Sequence, residues 1–187
     1  MRIIAGQWRG RALALPPQDL TRPTTDRVRE ALFSMLCSRI GDFVGKHILD
    51  AFAGSGAFGL EALSRGAAHV TFAENNKKTR IVLRQNIAQF KCDDRILIHH
   101  DAFDLPTTQT LSDVIFLDPP YNKGFENQMI PMLMDRGYVG TETWVVVESD
   151  AASVPVCLPM LHCEHARIYG NCAISAWKLD IPNTDDF

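Results

Sequence analysis

A chain of 187 residues, 46% hydrophobic and 22% charged, has the length and composition of one ordinary globular domain with a proper core, and excludes a disordered or collagen-like protein. No apolar run approaches the ~18 residues of a membrane span, and the apolar part of Met1-Arg2-Ile3-Ile4-Ala5-Gly6 is too short for a secretory signal; a cytoplasmic protein with no membrane role is expected. The net charge of −3 does not announce nucleic acid, but seven arginines and four acids precede Lys46, whereas two basic residues and seven acids follow from Gly140 onward. This asymmetry fits an N-terminal part that faces a polyanion, or an unevenly charged solvated surface.

Arg2 to Ala5 and Arg11 to Leu15 are short strand-like runs bracketing Gly6-Gln7-Trp8-Arg9-Gly10, a pattern that predicts a β-hairpin with Trp8 and Arg9 at its tip. An exposed tryptophan beside arginine suits stacking on nucleic acid, but a single tryptophan also commonly packs onto the body. Pro16-Pro17 stops the second run, and a loop passes through Arg22-Pro23-Thr24-Thr25. Thr24 or Thr25 is a credible N-cap for a helix over Asp26 to Ile40, with Val28, Leu32, Met35, Leu36 and Ile40 on one face. Arg27 and Arg29 lie in its first turn, where the macrodipole disfavours cations. An anionic ligand, or a carboxylate neighbour such as Glu30, is needed to favour them there.

From Lys46 the pattern alternates. Strands are expected at His47 to Ala51, His69 to Ala73, Arg95 to Ile98, Asp113 to Leu117 and Thr143 to Val147. Helices are expected at Ala57 to Arg65, Lys77 to Phe90 and Phe125 to Met134, with a short helix or loop after Asp101. Repeated βα units imply a parallel, doubly wound α/β sheet. His162 to Tyr169 and Cys172 to Leu179, joined by Gly170-Asn171, read as an antiparallel hairpin. Asp180 to Phe187 reads as a frayed end.

Five scattered cysteines without a Cys-x-x-Cys predict reduced thiols, and His162-Cys163 with His165 is too weak a spacing for metal; none is expected.

The chemistry gathers at the strand ends. Asp50 closes the first strand and Gly54-x-Gly56-x-x-Gly59 follows, a glycine loop into a helix N-terminus. Glu74 lies where a ribose-binding acid is expected, Asp101-Ala102 follows the third strand, and Asp118-Pro119-Pro120-Tyr121 follows the fourth. In an open α/β sheet, ligands bind at these ends. Prolines fix φ and donate no hydrogen bond, so the turn at Asp118 is a rigid cluster of acceptors matched to an exocyclic NH₂, with Tyr121 as a stacking face. A plain strand-terminating turn is the alternative.

Asp118-Pro119-Pro120-Tyr121 resembles the signature of S-adenosylmethionine-dependent methyltransferases acting on amino nitrogens of nucleobases, and Asp50-x-x-x-Gly54-Ser55-Gly56 resembles their cofactor motif. More closely, Arg2-Ile3-Ile4-Ala5-Gly6, Arg22-Pro23-Thr24, Arg27-Val28-Arg29-Glu30, Leu32-Phe33, Phe52-Ala53-Gly54-Ser55-Gly56 and Ser64-Arg65-Gly66-Ala67 resemble the bacterial small-subunit ribosomal RNA guanine-N2 methyltransferases (methyltransferase D) over nearly the whole chain. The resemblance implies a Rossmann-like fold: a mostly parallel seven-stranded sheet with an antiparallel strand near its C-terminus, plus the N-terminal hairpin and helix. It implies that Asp50, Phe52, Gly54 and Gly56 surround the methionine part of S-adenosylmethionine. Glu74 would bind the ribose, Asn75 would lie beside the adenine, and Asp101 with the Ala102 backbone would hold the adenine. Asp118, Pro119, Pro120 and Tyr121 would hold the target base. Residues 1–41 would form an RNA-facing extension, with Arg9, Arg22, Thr24 and Arg27 as candidate RNA contacts, and 42–187 the methyltransferase domain of a monomer. Its partner would be small-subunit ribosomal RNA, naked or in an assembled particle. Phe58, where a smaller aliphatic residue is expected, and Asn75-Asn76, where a more charged pair is expected, depart from the family pattern.

Three other readings stand beside this one. A methyltransferase of adenine N6 or guanine N2 in DNA or transfer RNA shares the signature. A nicotinamide-dependent oxidoreductase shares the glycines, but Asp50 and the Asp-Pro-Pro-Tyr turn oppose it, and no Tyr-x-x-x-Lys or comparable pair is present. A non-catalytic nucleic-acid-binding module on a relic fold is opposed by intact motifs at all four strand ends.

Overall fold

In the computed structural model, the strand and helix alternation becomes a seven-stranded mixed sheet with four α-helices among the described residues. These are all residues except 18–24, 121–123, 154–157, 159 and 181–187. The chain divides into two compact units, residues 1–105 and 106–187.

The first unit holds β1 (His47–Asp50), β2 (His69–Ala73) and β3 (Ile96–His99), all parallel in the order β3-β2-β1. Helix α1 (Asp26–Ile40) starts at Thr25, whose hydroxyl accepts the Val28 N–H, and ends at Gly41, φ 82°. Helix α2 (Ala57–Ser64) joins β1 to β2, and α3 (Lys77–Phe90) joins β2 to β3. Asn76 caps α3 by accepting the Lys78 and Thr79 N–H groups, which favours an asparagine where the family pattern suggests charge. Leu49, Leu60, Leu63, Phe72 and Leu83 are fully buried, each worth about 1.5–3 kcal/mol of hydrophobic stabilisation. Phe58 belongs to this core: its ring centroid lies 5.0 Å from that of Phe33, which meets Phe43 at 5.1 Å. The large residue at 58 is accommodated by this aromatic cluster with α1.

The N-terminal segment folds back on itself as expected. Arg2 bridges Ala12 antiparallel, and Ile3 and Arg11, Gly10 and Ile3, and Leu13 and Met1 share backbone hydrogen bonds. Its tryptophan is not offered to solvent: Trp8 is buried against Phe90, centroids 4.6 Å apart, with the Arg95 guanidinium 5.7 Å from its ring centroid. Of the two residues expected at the tip, Arg9 is the exposed one. Arg29 is also resolved without a ligand. It is buried and donates to Asp26 Oδ1 (2.8 Å) and the Arg2 carbonyl (2.7 Å), so Asp26 rather than Glu30 is its carboxylate.

The second unit holds β4 (Val114–Leu117), parallel to β5 (Trp144–Asp150), with α4 (Phe125–Asp135) between them in sequence. β6 (Leu161–Tyr169) and β7 (Cys172–Leu179) form the expected hairpin, and β7 pairs antiparallel with β5. The order here is β4-β5-β7-β6. On β6 the two ring nitrogens of His162 face Glu164 (2.8 Å) and Asp180 (3.0 Å). No group of three or more His, Cys, Asp or Glu among the described residues is arranged to hold a metal. No described helix is long and apolar enough to cross a membrane.

Candidate cofactor and base sites

The first unit brings together eight of the residues singled out in the sequence: Asp50, Phe52, Gly54, Gly56, Glu74, Asn75, Asp101 and Ala102, at or just beyond the carboxyl ends of β1, β2 and β3. The chain turns at Gly54 (φ 55°) and Gly56 (φ 81°), left-handed conformations that glycine adopts without strain. The three glycines of the motif differ in what surrounds them. A Cβ at Gly59 would collide with Phe72, and one at Gly56 with Leu83, so these two are small because the interior requires it. A Cβ at Gly54 would meet nothing within 4 Å. Gly54 alone faces open space, which is what a backbone that receives a ligand requires.

Carboxylates fix this loop. Glu74 Oε2 accepts the Gly54 N–H at 2.9 Å, and its Oε1 accepts the Asn76 N–H at 2.7 Å. A carboxylate has about four acceptor positions. With two used and the side chain part-exposed, Glu74 retains capacity for a ribose diol. Asp50 is 1% exposed and its Oδ2 accepts the Gly59 N–H at 3.1 Å. Burial pushes its pKa up to about 7, the Gly59 hydrogen bond opposes the shift, and the Glu74 charge adds to it. A carboxyl group held so near neutrality is sensitive to any cation brought beside it. Asp101 Oδ1 accepts the Phe103 N–H at 3.0 Å and opens a single 3₁₀ turn, with Ala102 buried beneath it. Asn75 is exposed and Phe52 is half-buried. An adenosine bearing a cationic amino-acid end fits this donor set: an open glycine backbone, a part-exposed acid after β2, a second acid after β3, and a buried acid at the loop.

Asp118, Pro119 and Pro120 belong to the second unit and follow β4, whose four residues are all buried. Asp118 is half-buried, Pro119 buried and Pro120 exposed. Tyr121 lies outside the described residues, as do Arg22 and Thr24. Arg9 and Arg27 are exposed in the first unit.

Two site-supporting residues escape a reading of motifs. Glu61, fully buried in α2, accepts the Ile4 N–H (2.6 Å), the Ala5 N–H (2.9 Å) and Arg65 Nε (2.8 Å). Asn86, fully buried in α3, accepts the Ala14 N–H (2.9 Å) and donates to the carbonyls of Ala14 (3.0 Å) and Ser55 (2.8 Å). It therefore ties the N-terminal segment to the glycine loop. A signal existed for Glu61: it is the one charged residue in a mostly apolar helix, Ala57–Ser64. Asn86 carries no such signal.

Parallel strands ending in acids around a glycine loop, with an antiparallel C-terminal pair, define a Rossmann-like methyltransferase fold. The solved structure of Escherichia coli yhhF superposes with a TM-score of 0.83 at 34% identity, covering 96% of this chain and 98% of that one. A Salinibacter ruber RNA methyltransferase in complex with S-adenosyl-L-homocysteine shares the fold (TM-score 0.65, 16% identity, 89% of this chain and 100% of that one). The family described as conserved hypothetical protein 95 matches residues 1–178. The ribosomal RNA small subunit methyltransferase D of Escherichia coli K12 is 42% identical over 190 residues, spanning 100% of this chain and 93% of that protein. The protein of the same name from Haemophilus influenzae is 39% identical over 155 residues, covering 80% and 79% respectively. The chain belongs to the ribosomal RNA small subunit methyltransferase D family.

Proposed function

We propose that the protein transfers a methyl group from S-adenosylmethionine to the exocyclic 2-amino nitrogen of a guanine in small-subunit (16S) ribosomal RNA. One observation carries the reading: in a chain of this family, Asp118-Pro119-Pro120 directly follows a fully buried parallel strand. A turn so anchored is a rigid acceptor cluster. When bound, S-adenosylmethionine supplies a methyl group already made electrophilic by its sulfonium. The chain's own task is then positioning and charge stabilisation. Asp50, Phe52, Gly54 and Gly56 hold the amino-acid end, and Glu74 accepts from the ribose hydroxyls. Asn75 lies along the adenine, while Asp101 and the Ala102 backbone bind its edge.

The guanine amino nitrogen is a poor nucleophile because its lone pair is conjugated into the ring. Asp118 and the Pro119 carbonyl accept its two hydrogens, which turns the lone pair toward the methyl group and stabilises the developing ammonium character. Tyr121 stacks on the base. No side chain is needed as a strong base before transfer: as the N–C bond forms and the C–S bond breaks, S-adenosylhomocysteine would leave, and the methylated nitrogen would then shed one proton to Asp118 or water. Residues 1–41, with Arg9, Arg22, Thr24 and Arg27, face the RNA, and 42–187 form the catalytic domain of a cytoplasmic monomer.

The test is transfer of tritiated methyl from S-adenosylmethionine to small-subunit particles, free 16S RNA, transfer RNA and DNA, followed by nucleoside mass spectrometry. N2-methylguanosine formed in 16S RNA or its particle is the expected product. Label in N6-methyladenosine, or only in DNA or transfer RNA, overturns the substrate assignment. Asp118→Ala should lower kcat by about 10²–10³-fold or more while S-adenosylhomocysteine affinity changes only a few-fold. Near-normal turnover by that variant would remove Asp118 from the mechanism.

A further inference from the structure

A cavity of about 240 Å³ opens between the N-terminal segment and the start of α1, lined among others by Arg2, Ile4, Arg9, Asp26 and Glu30. This is many times the space one water needs. Its lining combines two guanidiniums with two carboxylates and an aliphatic wall. Asp26 is occupied, by Arg29 at 2.8 Å and by Arg2 Nε at 3.4 Å. Among the described residues the Arg9 guanidinium and the Glu30 carboxylate, both exposed, form no hydrogen bond or ion pair. The cavity therefore offers one free fork of donors and one free pair of acceptors.

We infer that this cavity binds a second, unstacked guanine of the RNA, separate from the base that receives the methyl group. The chemistry selects guanine by elimination. A phosphate is repelled by Asp26 and Glu30. A nucleobase presents donors on one edge and acceptors on another, and unstacked bases are read on both. Guanine alone offers two adjacent donors, N1–H and the 2-amino group, to a carboxylate, together with two adjacent acceptors, O6 and N7, to an arginine fork. Adenine places an acceptor, N1, where Glu30 requires a donor. Uracil and cytosine have no second edge with paired acceptors. Glu30 takes the N1–H and amino edge, Arg9 takes O6 and N7, and the Ile4 side chain supplies an apolar wall. Trp8, the residue otherwise suited to stacking, is unavailable because it is buried on Phe90.

This inference rests on the proposal that RNA is the substrate, and its test is arranged to fail separately from that proposal. The full chain carrying Asp118→Ala, which removes one of the two acceptors at the target-base turn and so weakens guanine recognition there, is titrated at fixed salt with short uridine tracts bearing one central G, A, C or U. Binding of the G tract is expected to be roughly tenfold tighter than that of the other three. Inosine, which lacks the 2-amino group, should lose most of the gain, but not when Glu30→Ala is added. 7-Deazaguanosine, which lacks N7, should lose it too, but not when Arg9→Ala is added. Both added substitutions are at exposed positions, and unchanged melting curves verify folding. Equal affinity for the four tracts overturns the inference, as does a guanine preference that survives both Glu30→Ala and Arg9→Ala. Methyl transfer by the unsubstituted chain is read independently, so loss of that activity with the guanine preference intact would overturn the enzymatic proposal alone.

Discussion

The two ends of α2 solve the same problem with opposite consequences. At each end a carboxylate captures backbone N–H groups of a neighbouring segment: Glu74 and Asp50 at the glycine loop, Glu61 at the N-terminal segment. Glu61 is sealed from solvent and all its capacity is directed inward. Glu74 is part-exposed and keeps acceptor sites to spare. Glu61 is thus a fastening alone, whereas Glu74 fastens the loop and still presents acceptor sites at the surface. Asn86 joins the two systems by bonding both Ala14 and Ser55.

This contrast is open to attack in order of size. Glu61→Ala strands two part-buried N–H groups and the Arg65 guanidinium, and should lower unfolding free energy by up to about 5 kcal/mol in urea titrations. Affinity for S-adenosylhomocysteine, measured on the fraction still folded, should change little. Asp50 gives the next effect. Its pKa in the fold, about 7, lies above its ordinary value, so protonation favours the native state. The stability it contributes is complete below about pH 4 and is lost as pH rises through about 7, on the order of 4 kcal/mol in all. Asp50→Asn should flatten that slope in the ligand-free protein. A cationic ligand beside Asp50 lowers its pKa, so a saturating S-adenosylmethionine analogue should make the wild-type slope shallower as well. Asn86→Ala leaves the Ala14 and Ser55 groups without partners and should cost about 1–3 kcal/mol, read as a fall in Tm. Because it loosens both segments, it should also weaken cofactor binding, whereas Glu61→Ala should not. Glu74→Gln is the mildest: it retains an acceptor for Gly54 but loses the charge and the acceptor for the Asn76 N–H, and should raise the Kd for S-adenosylhomocysteine roughly tenfold at a cost of about 1 kcal/mol in stability. If Glu74→Gln proves the more destabilising and Glu61→Ala the more damaging to binding, the distinction between the two ends collapses.

The order of strands and helices, the glycine loop and the Asp118-Pro119-Pro120 turn are legible in the sequence because they rest on local signals: period, caps and small or proline residues at fixed spacing. The spacing of the glycines does not say which of them serves packing; the structure does, since a Cβ at Gly59 would collide with Phe72. The burial of Trp8 and the work of Asn86 are set by partners far away in the chain, and no local pattern encodes them; Glu61 is marked only by being the one charge in α2, which does not name its partners. The same distance explains Arg29. A cation in a first helical turn looks like a ligand-binding residue until the Arg2 carbonyl, 27 residues earlier, is found to be its acceptor. Strand ends shift by a residue or more for a simpler reason. β5 runs on to Asp150 because β7 supplies partners for Glu148, Ser149 and Asp150, pairing that its own residues do not announce.

The bonds that fasten the N-terminal segment bear on how the protein is made. Ile4, Ala5 and Trp8 leave the translating ribosome first, but their partners Glu61 and Ser64 are synthesised 56 to 57 residues later, and Asn86 follows Ala14 by 72. At 5–20 residues per second the segment waits roughly 3–12 seconds for the helix it docks on. The part of the chain proposed to meet RNA is therefore completed only after the glycine loop has been made, so a truncated nascent chain exposes arginines but no finished arm.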